Sequence, residues 1–424
     1  MATTTLPSVL PAAPAAVVAA AVVAARGDGP IGVNGGAGGP AASVAGEVVA
    51  GPASPEVPAE ALALAVEEAV AVAAPLTNAA AAVAAPAALV AGPAAPRHKA
   101  GAGYGGGGAG MGGAIFNHGG LLTSINTTFV ENAATGGSST AGSGSGLGAA
   151  IFNLNGSVSL IHCTVTGNSV AGSTGYPYTV AAGALYNLGY RRDLILPPAA
   201  VTLTNCIVAN TSGGSDLVND CPTILSGDEA FRPNAGAATL TFGGANLIPS
   251  HADSGTASVS GPDPLITDPL LGTLADYDGD TWTCPLLPGS PAIDAAAASA
   301  VTTDQRGLPR FGAPDLGAFE SHGFALSRTG GDNQSTLLGT AFPSPLSVTV
   351  TAANPLEPVD GGSVAFSTPA TGASATLPSA TVTIAGGTAS VTATANATLG
   401  SYTVAAGTAG APEIDSTSPT SPRR

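Results

Sequence analysis

The sequence is poor in charge. Only 9% of its 424 residues are Asp, Glu, Lys or Arg, and Lys99 is the only lysine, so the basic clusters that nucleic acid demands are missing, and a net charge of -16 opposes that partner. Aromatic residues are scarce as well, at 4%. Together these shortages exclude the surface composition of an ordinary globular enzyme. The four cysteines, Cys163, Cys206, Cys221 and Cys284, show no Cys-x-x-Cys spacing, which excludes zinc ribbons and thioredoxin-like redox motifs while leaving disulfides open. The five histidines do not cluster. His118 and His162 fall in neighbouring repeats at different repeat positions, which argues against a shared metal site. Long apolar runs are also missing. The run at 15–25 is preceded by no Lys or Arg and is shorter than the roughly 20 residues a membrane span needs. The expectation is therefore no integral membrane span, and the run reads as part of a disordered Ala-rich arm or an imperfectly defined start, with the signal peptide left open.

What the sequence has instead is repetition. Gly112-Gly113-Ala114-Ile115-Phe116-Asn117, continuing through Leu122, Ile125, Asn126 and Phe129 to Asn132, lines up without a gap on Gly148-Ala149-Ala150-Ile151-Phe152-Asn153, continuing through Val158, Ile161, His162 and Val165 to Asn168. A looser third copy runs from Gly183-Ala184-Leu185-Tyr186-Asn187 through Val201, Leu203, Asn205, Cys206 and Val208 to Asn210. Each copy is a set of short alternating segments broken by Gly and Asn, the pattern of a β-solenoid. Side chains two apart share a face, so Leu122, Val158 and Val201 point inward together with Ser124, Leu160 and Leu203. Beyond a bend at Asn126, His162 and Asn205, the next inward sets are Thr127, Cys163 and Cys206, then Phe129, Val165 and Val208. Ile125, Ile161 and Thr204 point outward. Residues 133–147, rich in Gly and Ser, are expected to loop out. Cys163 and Cys206 share one inward position in successive coils, and a buried thiol pair is favoured over a strained disulfide.

The rest of the chain divides by composition. Residues 1–100 are low-complexity Ala, Val, Pro and Gly, an arm expected to be disordered, with one helix possible over 59–74. Residues 326–409 alternate strand-like segments with Gly and Pro at the spacing of a β-sandwich, and 410–424 form a polar tail expected to be disordered. The expected fold is all-β: a right-handed parallel β-helix over 101–322 followed by an Ig-like sandwich, with a low-complexity N-terminal arm.

Several of these residues carry a family likeness. Gly112 to Ile115 followed by Phe129 to Asn132 resembles the polymorphic outer membrane protein repeat, a right-handed β-helix module of bacterial surface proteins. The second copy departs from it. Downstream, Asp263-Pro264-Leu265, Asp268-Pro269-Leu270, Leu287-Pro288-Gly289-Ser290-Pro291-Ala292-Ile293-Asp294, Asp304-Gln305-Arg306-Gly307 and Asp315-Leu316-Gly317-Ala318-Phe319-Glu320 resemble, in order, the end of the choice-of-anchor Q domain. The stretches Gly331 to Ser335 and Ala395 to Val404 resemble bacterial Ig-like repeats. The likeness implies a secreted, surface-associated protein with no assigned catalysis.

Chemistry is thinly represented. Asp276, Asp278 and Asp280 sit at alternate positions, as in calcium loops, although no Glu follows at EF-hand spacing, and a solvated acidic turn is the plainer reading. No other cofactor is expected. Asp304, Arg306, Asp315 and Glu320 could pass for paired catalytic carboxylates with a basic helper, but in the context of the likeness they read as an ion-pair network closing the last coil. Five Asn-x-Ser/Thr sequons, at Asn126, Asn155, Asn210, Asn333 and Asn396, are a weak sign of glycosylation. The expected function is non-catalytic extracellular or cell-surface display, adhesin-like, with glycans, matrix or other cell-surface proteins as partners. The alternatives are a passive envelope component and a carbohydrate-active β-helix enzyme.

Overall fold

Glycine sets the entry to each coil. Gly112 and Gly148 sit in the left-handed region at φ 66° and 63°, and a Cβ on either would lie 2.5 or 2.4 Å from the carbonyl oxygen of Ile115 or Ile151. Only Gly satisfies both constraints, and the chain then turns into the first strand of the rung. In the computed structural model, which describes residues 88–90, 108–137, 144–172, 182–190, 197–222 and 236–416, these rungs stack into a parallel β-solenoid of right-handed type. No helix forms among the described residues.

Two faces of the solenoid are five strands deep. The first consists of Ile115–His118, Ile151–Leu154, Gly183–Leu188, Ser215–Cys221 and His251–Gly255. The second consists of Leu121–Ile125, Ser157–Ile161, Ala199–Thr204, Ala238–Phe242 and Ser258–Ser260. A third face stacks Thr128–Val130, Thr164–Thr166 and Ile207–Ala209. All pairs are parallel. The register is the expected one, with Leu122 beside Val158 and Val158 beside Val201. The inward sets Val158, Leu160, Val201, Leu203, Cys163, Cys206, Phe129, Val165 and Val208 form one buried core.

Two stretches differ from expectation. The spacer 133–147 is not all loop: Ala133–Thr135 pairs in parallel with Ser169–Ala171 and with Ala88–Val90, and Gly146–Leu147 pairs with Gly110–Met111. Its small residues allow this tight fourth side, where Ala134 is fully buried. Residues Ala88–Val90 belong to the stretch read as a disordered arm; the remainder of that arm, with the candidate helix at 59–74, lies outside the described residues.

Residues 261–322 contain no strand and run as a closing segment across the third face. Leu286, Ala292 and Leu316 pack there on Ile207, Ala209 and Leu247. Thr164 Oγ1 accepts the Ala318 amide at 3.0 Å, and Thr128 hydrogen-bonds to Thr283 and Gln305 at 3.1 and 2.6 Å.

An Ig-like β-sandwich follows. One antiparallel sheet orders Phe324–Gly330, Leu346–Ala352 and Thr388–Val391; the other orders Thr381–Thr383, Ser363–Ser367, Val404–Gly407 and Ile414–Ser416. The last strand falls in the stretch read as a polar tail, and Ile414 packs on the core. Inward residues of the two sheets, Leu346, Val348 and Val350 against Val364, Phe366, Val404 and Ala406, alternate with more exposed ones, mostly Ser, Thr and Ala.

Candidate binding surface

Corner side chains hold the solenoid faces in place. At the turn from the first face to the second, Asn117, Asn153, Asn187 and Asn219 stack in register. Each donates its side-chain amide to the next rung: Asn117 to Asn153 at 2.7 Å, Asn153 to Asn187 at 2.7 Å, Asn187 to Asn219 at 2.9 Å and Asn219 to Asp253 at 3.1 Å. Asn117 and Asn153 also donate to the turn carbonyls of Gly120 and Gly156. Asn126, His162 and Asn205 occupy the next corner, all left-handed with φ of 51°, 48° and 56°. Burial together with the nearby Arg310 lowers the His162 pKa to about 4, so the imidazole is neutral and meets the Asn205 amide at 3.1 Å.

The faces differ in what covers them. On the outer side of the first, Phe116, Phe152 and Tyr186 stack at centroid distances of 5.3 and 5.6 Å, and Phe152, Tyr186 and Val218 are buried. Tyr186 donates to Asp220 at 2.7 Å, and burial raises its phenol well above the ordinary range. The third face lies under the closing segment. Among the described residues, nothing is built over the second face. Its central outward column is Thr123, Ser159, Thr202, Thr241 and Ser260 in continuous register, with the Thr241 and Ser260 hydroxyls 3.3 Å apart. A flanking column runs Leu121, Ser157, Ala200, Thr239 and Ser258, and another Ile125, Ile161 and Thr204. No strand of this face contains a charged residue.

The closing segment gathers the cluster that resembled a catalytic site. Asp304 accepts from Arg306 Nε at 2.8 Å and Glu320 accepts from Arg310 at 2.8 Å. The Arg306 guanidinium lies 3.7 Å from the centroid of the Phe319 ring. Asp315 accepts the amides of Asp294 and Ser321 at 2.7 and 2.6 Å. Burial and the adjacent Glu320 raise its pKa to about 8, and burial raises Glu320 too. All four carboxylate and guanidinium side chains of the expected cluster are buried. Sequence reasoning missed Glu357 of the sandwich, also buried, which faces Arg306 at 3.8 Å and accepts from Ser321 and His322. Nothing in its local pattern marks it.

The remaining candidates are dispersed. Asp276, Asp278 and Asp280 are exposed on a turn in which Asp276 accepts the Asp278 amide at 3.1 Å. Among the described residues, no three His, Cys, Asp or Glu side chains converge as a metal site would require. All four cysteines are buried, and none forms a disulfide. The Cys163 amide meets the Cys206 sulfur at 3.5 Å, and burial with the hydrogen bond from Cys163 pushes the Cys206 thiol well up. Of the sequon asparagines, Asn155 is buried, whereas Asn210 and Asn333 are exposed. No model of a known family, no curated protein and no solved structure matches this chain.

Proposed function

We propose that this chain is a non-catalytic, extracellular or cell-surface β-helix protein that presents its solenoid surface to glycans, matrix or other cells. One observation carries the reading: the first and third solenoid faces are built over, while the second, whose strands are uncharged and carry a column of hydroxyls, is left open among the described residues. Cleaving a glycosidic bond needs two carboxyl groups held roughly 5 to 9.5 Å apart on a face the polymer can reach. Here the clustered carboxylates Asp304, Asp315 and Glu320 are buried within the closing segment and occupied by arginines and backbone amides. The likeness to choice-of-anchor Q and polymorphic outer membrane protein modules supports surface association.

Binding of the full chain to arrays of glycans and matrix proteins, together with turnover assays on pectin and alginate, tests the reading. Saturable binding without turnover is the expected result. Depolymerisation abolished by Asp304→Asn or Asp315→Asn would overturn it in favour of the enzyme. No binding to any array member would favour a passive structural role.

A further inference from the structure

The open second face has a geometry that narrows the ligand. Its central column places one hydroxyl on every rung for five rungs, Thr123, Ser159, Thr202, Thr241 and Ser260, at the strand spacing of about 4.8 Å. The corner ladder below, Asn117 to Asp253, locks that spacing. The flanking columns are interrupted by Leu121, Ala200 and Ile161, so the continuous hydroxyl array is a single line along the solenoid axis.

Most macromolecules are poor matches to this line. Nucleic acid and anionic membranes need positive charge, and the face has none. Protein hot spots rest on Trp, Tyr and Arg, and none of these stands on the second-face strands. An anionic polysaccharide gains nothing from an uncharged face in a chain of net charge -16. A neutral linear polysaccharide fits. An extended chain of pyranose rings carries hydroxyls along its whole length to meet those of the column, and its C–H faces meet the Thr methyls and, on the first two rungs, the apolar side chains of Leu121, Ile125 and Ile161.

We infer that the outer second face binds a neutral linear polysaccharide lying along the solenoid axis. This rests on the display function proposed above and names its ligand class and its site. Each rung contributes a weak contact, so affinity comes from the sum over rungs and over neighbouring chains of the polymer. The polymer binds; a short oligosaccharide competes poorly.

The test is depletion of the full chain from solution by microcrystalline cellulose and by chitin, at low and high salt, with immobilised polygalacturonate as the anionic comparison. Retention by cellulose or chitin that is insensitive to salt is expected. Thr202→Asp with Thr241→Asp should weaken it by roughly tenfold or more, since each buried charge would face an uncharged partner. Thr351→Asp with Thr381→Asp, on exposed strand positions of the sandwich, should leave it unchanged. Circular dichroism reports folding of each variant, and Ser159→Ala with Thr202→Val, which removes both hydroxyls without adding bulk, serves as the weakening variant if the aspartates prevent folding. Retention unaltered by both second-face pairs overturns the site while leaving the display function standing. Salt-sensitive binding to polygalacturonate alone overturns the neutral ligand. Inhibition of ice recrystallisation without polysaccharide retention assigns the face to ice and overturns it too. Failure on every glycan and matrix protein removes the display function with it.

Discussion

In the solenoid, a side chain meets its own counterpart one rung away. Phe152 stacks between Phe116 and Tyr186, Asn153 bonds between Asn117 and Asn187, and Cys163 lies against Cys206. In the sandwich, a side chain meets unlike residues from distant parts of the chain, as Phe342 meets Tyr402 edge-on at 6.4 Å. The difference decides where polar groups can be buried. A buried amide needs both donor and acceptor satisfied, and stacking supplies both because every rung repeats the requirement and its answer. The Asn ladder ends where only an acceptor is needed, on Asp253. The sandwich has no such repetition and fills its core with apolar residues. Its buried carboxylate, Glu357, is satisfied from outside, by Arg306, Ser321 and His322 of the closing segment.

The sharpest way to break this contrast is at that contact. Arg306→Met leaves Asp304 and Glu357 as buried charges without their cation, a loss of about 3–5 kcal/mol. Denaturant unfolding should show it, and limited proteolysis should find residues 261–322 newly cleavable. A loss below about 1 kcal/mol would mean that the ion pairs are not what joins sandwich to solenoid. Next in size is Leu203→Ala in the solenoid core, worth about 2–5 kcal/mol because the fully buried side chain leaves a cavity. Hydrogen exchange should rise in the strands Ser157–Ile161 and Ala238–Phe242 on either side, since each rung is stabilised by its neighbours. The strand Leu346–Ala352 should stay protected. Equal loss of protection there would make the two regions one cooperative unit.

The ladder itself gives a third comparison. Asn153→Ala, in the middle, removes the acceptor of the half-buried Asn117 amide and the donor to the buried Asn187, at about 1–3 kcal/mol. Asn117→Ala, at the end and half-buried, should cost less. Equal costs would show that the ladder carries no cumulative benefit.

The same repetition explains what was legible in the sequence. Asn117 and Asn153 are 36 residues apart, as are Asn132 and Asn168, so the first two rungs align without a gap and their register follows from alternation alone. Rungs four and five, with Asn219 and Asp253, keep the geometry without the glycine and asparagine spacing, because intervening loops vary in length. Thr202 and Ser159 are fixed as outward by the inward Val201 and Val158; that Thr241 and Ser260 extend their column required the structure. The cluster Asp304, Arg306, Asp315 and Glu320 was legible as ion pairs. Glu357 was not, since a sandwich loop reaching back to the closing segment leaves no local trace.

A smaller effect concerns pH, again confined to the solenoid and its closing segment. The folded pKa of Asp315 is raised to about 8, so its contribution is complete below its unfolded value and is lost as pH rises toward 8. The folded pKa of His162 is lowered to about 4, so its contribution is complete above its unfolded value near 6.5 and is lost as pH falls toward 4. Between about pH 4 and 6.5 the two slopes oppose each other. Above that the Asp315 slope is no longer opposed by His162, and stability should fall by about 1–2 kcal/mol by pH 8. Thermal midpoints against pH should show the plateau and the fall. His162→Asn, which installs the residue found at this corner in the rungs on either side, should turn the plateau into a continuous decline. A plateau that persists in the variant would exclude His162 as its cause.

The smallest expected effect sits next to one of the largest. Thr202 and Leu203 are consecutive in one strand, with opposite orientations: Leu203 is fully buried and Thr202 faces outward. Thr202→Val keeps the β-branched shape that the strand favours and removes only a hydroxyl from an outward position. Its effect on stability should fall within about 0.5 kcal/mol, beside about 2–5 kcal/mol for Leu203→Ala. Paired denaturation curves of the two variants measure the alternation directly. A cost above about 1 kcal/mol for Thr202→Val would mean that its hydroxyl is part of the solenoid's own hydrogen bonding. The column it belongs to would then hold the fold together instead of facing a ligand, and the open face would lose its claim to be a binding surface.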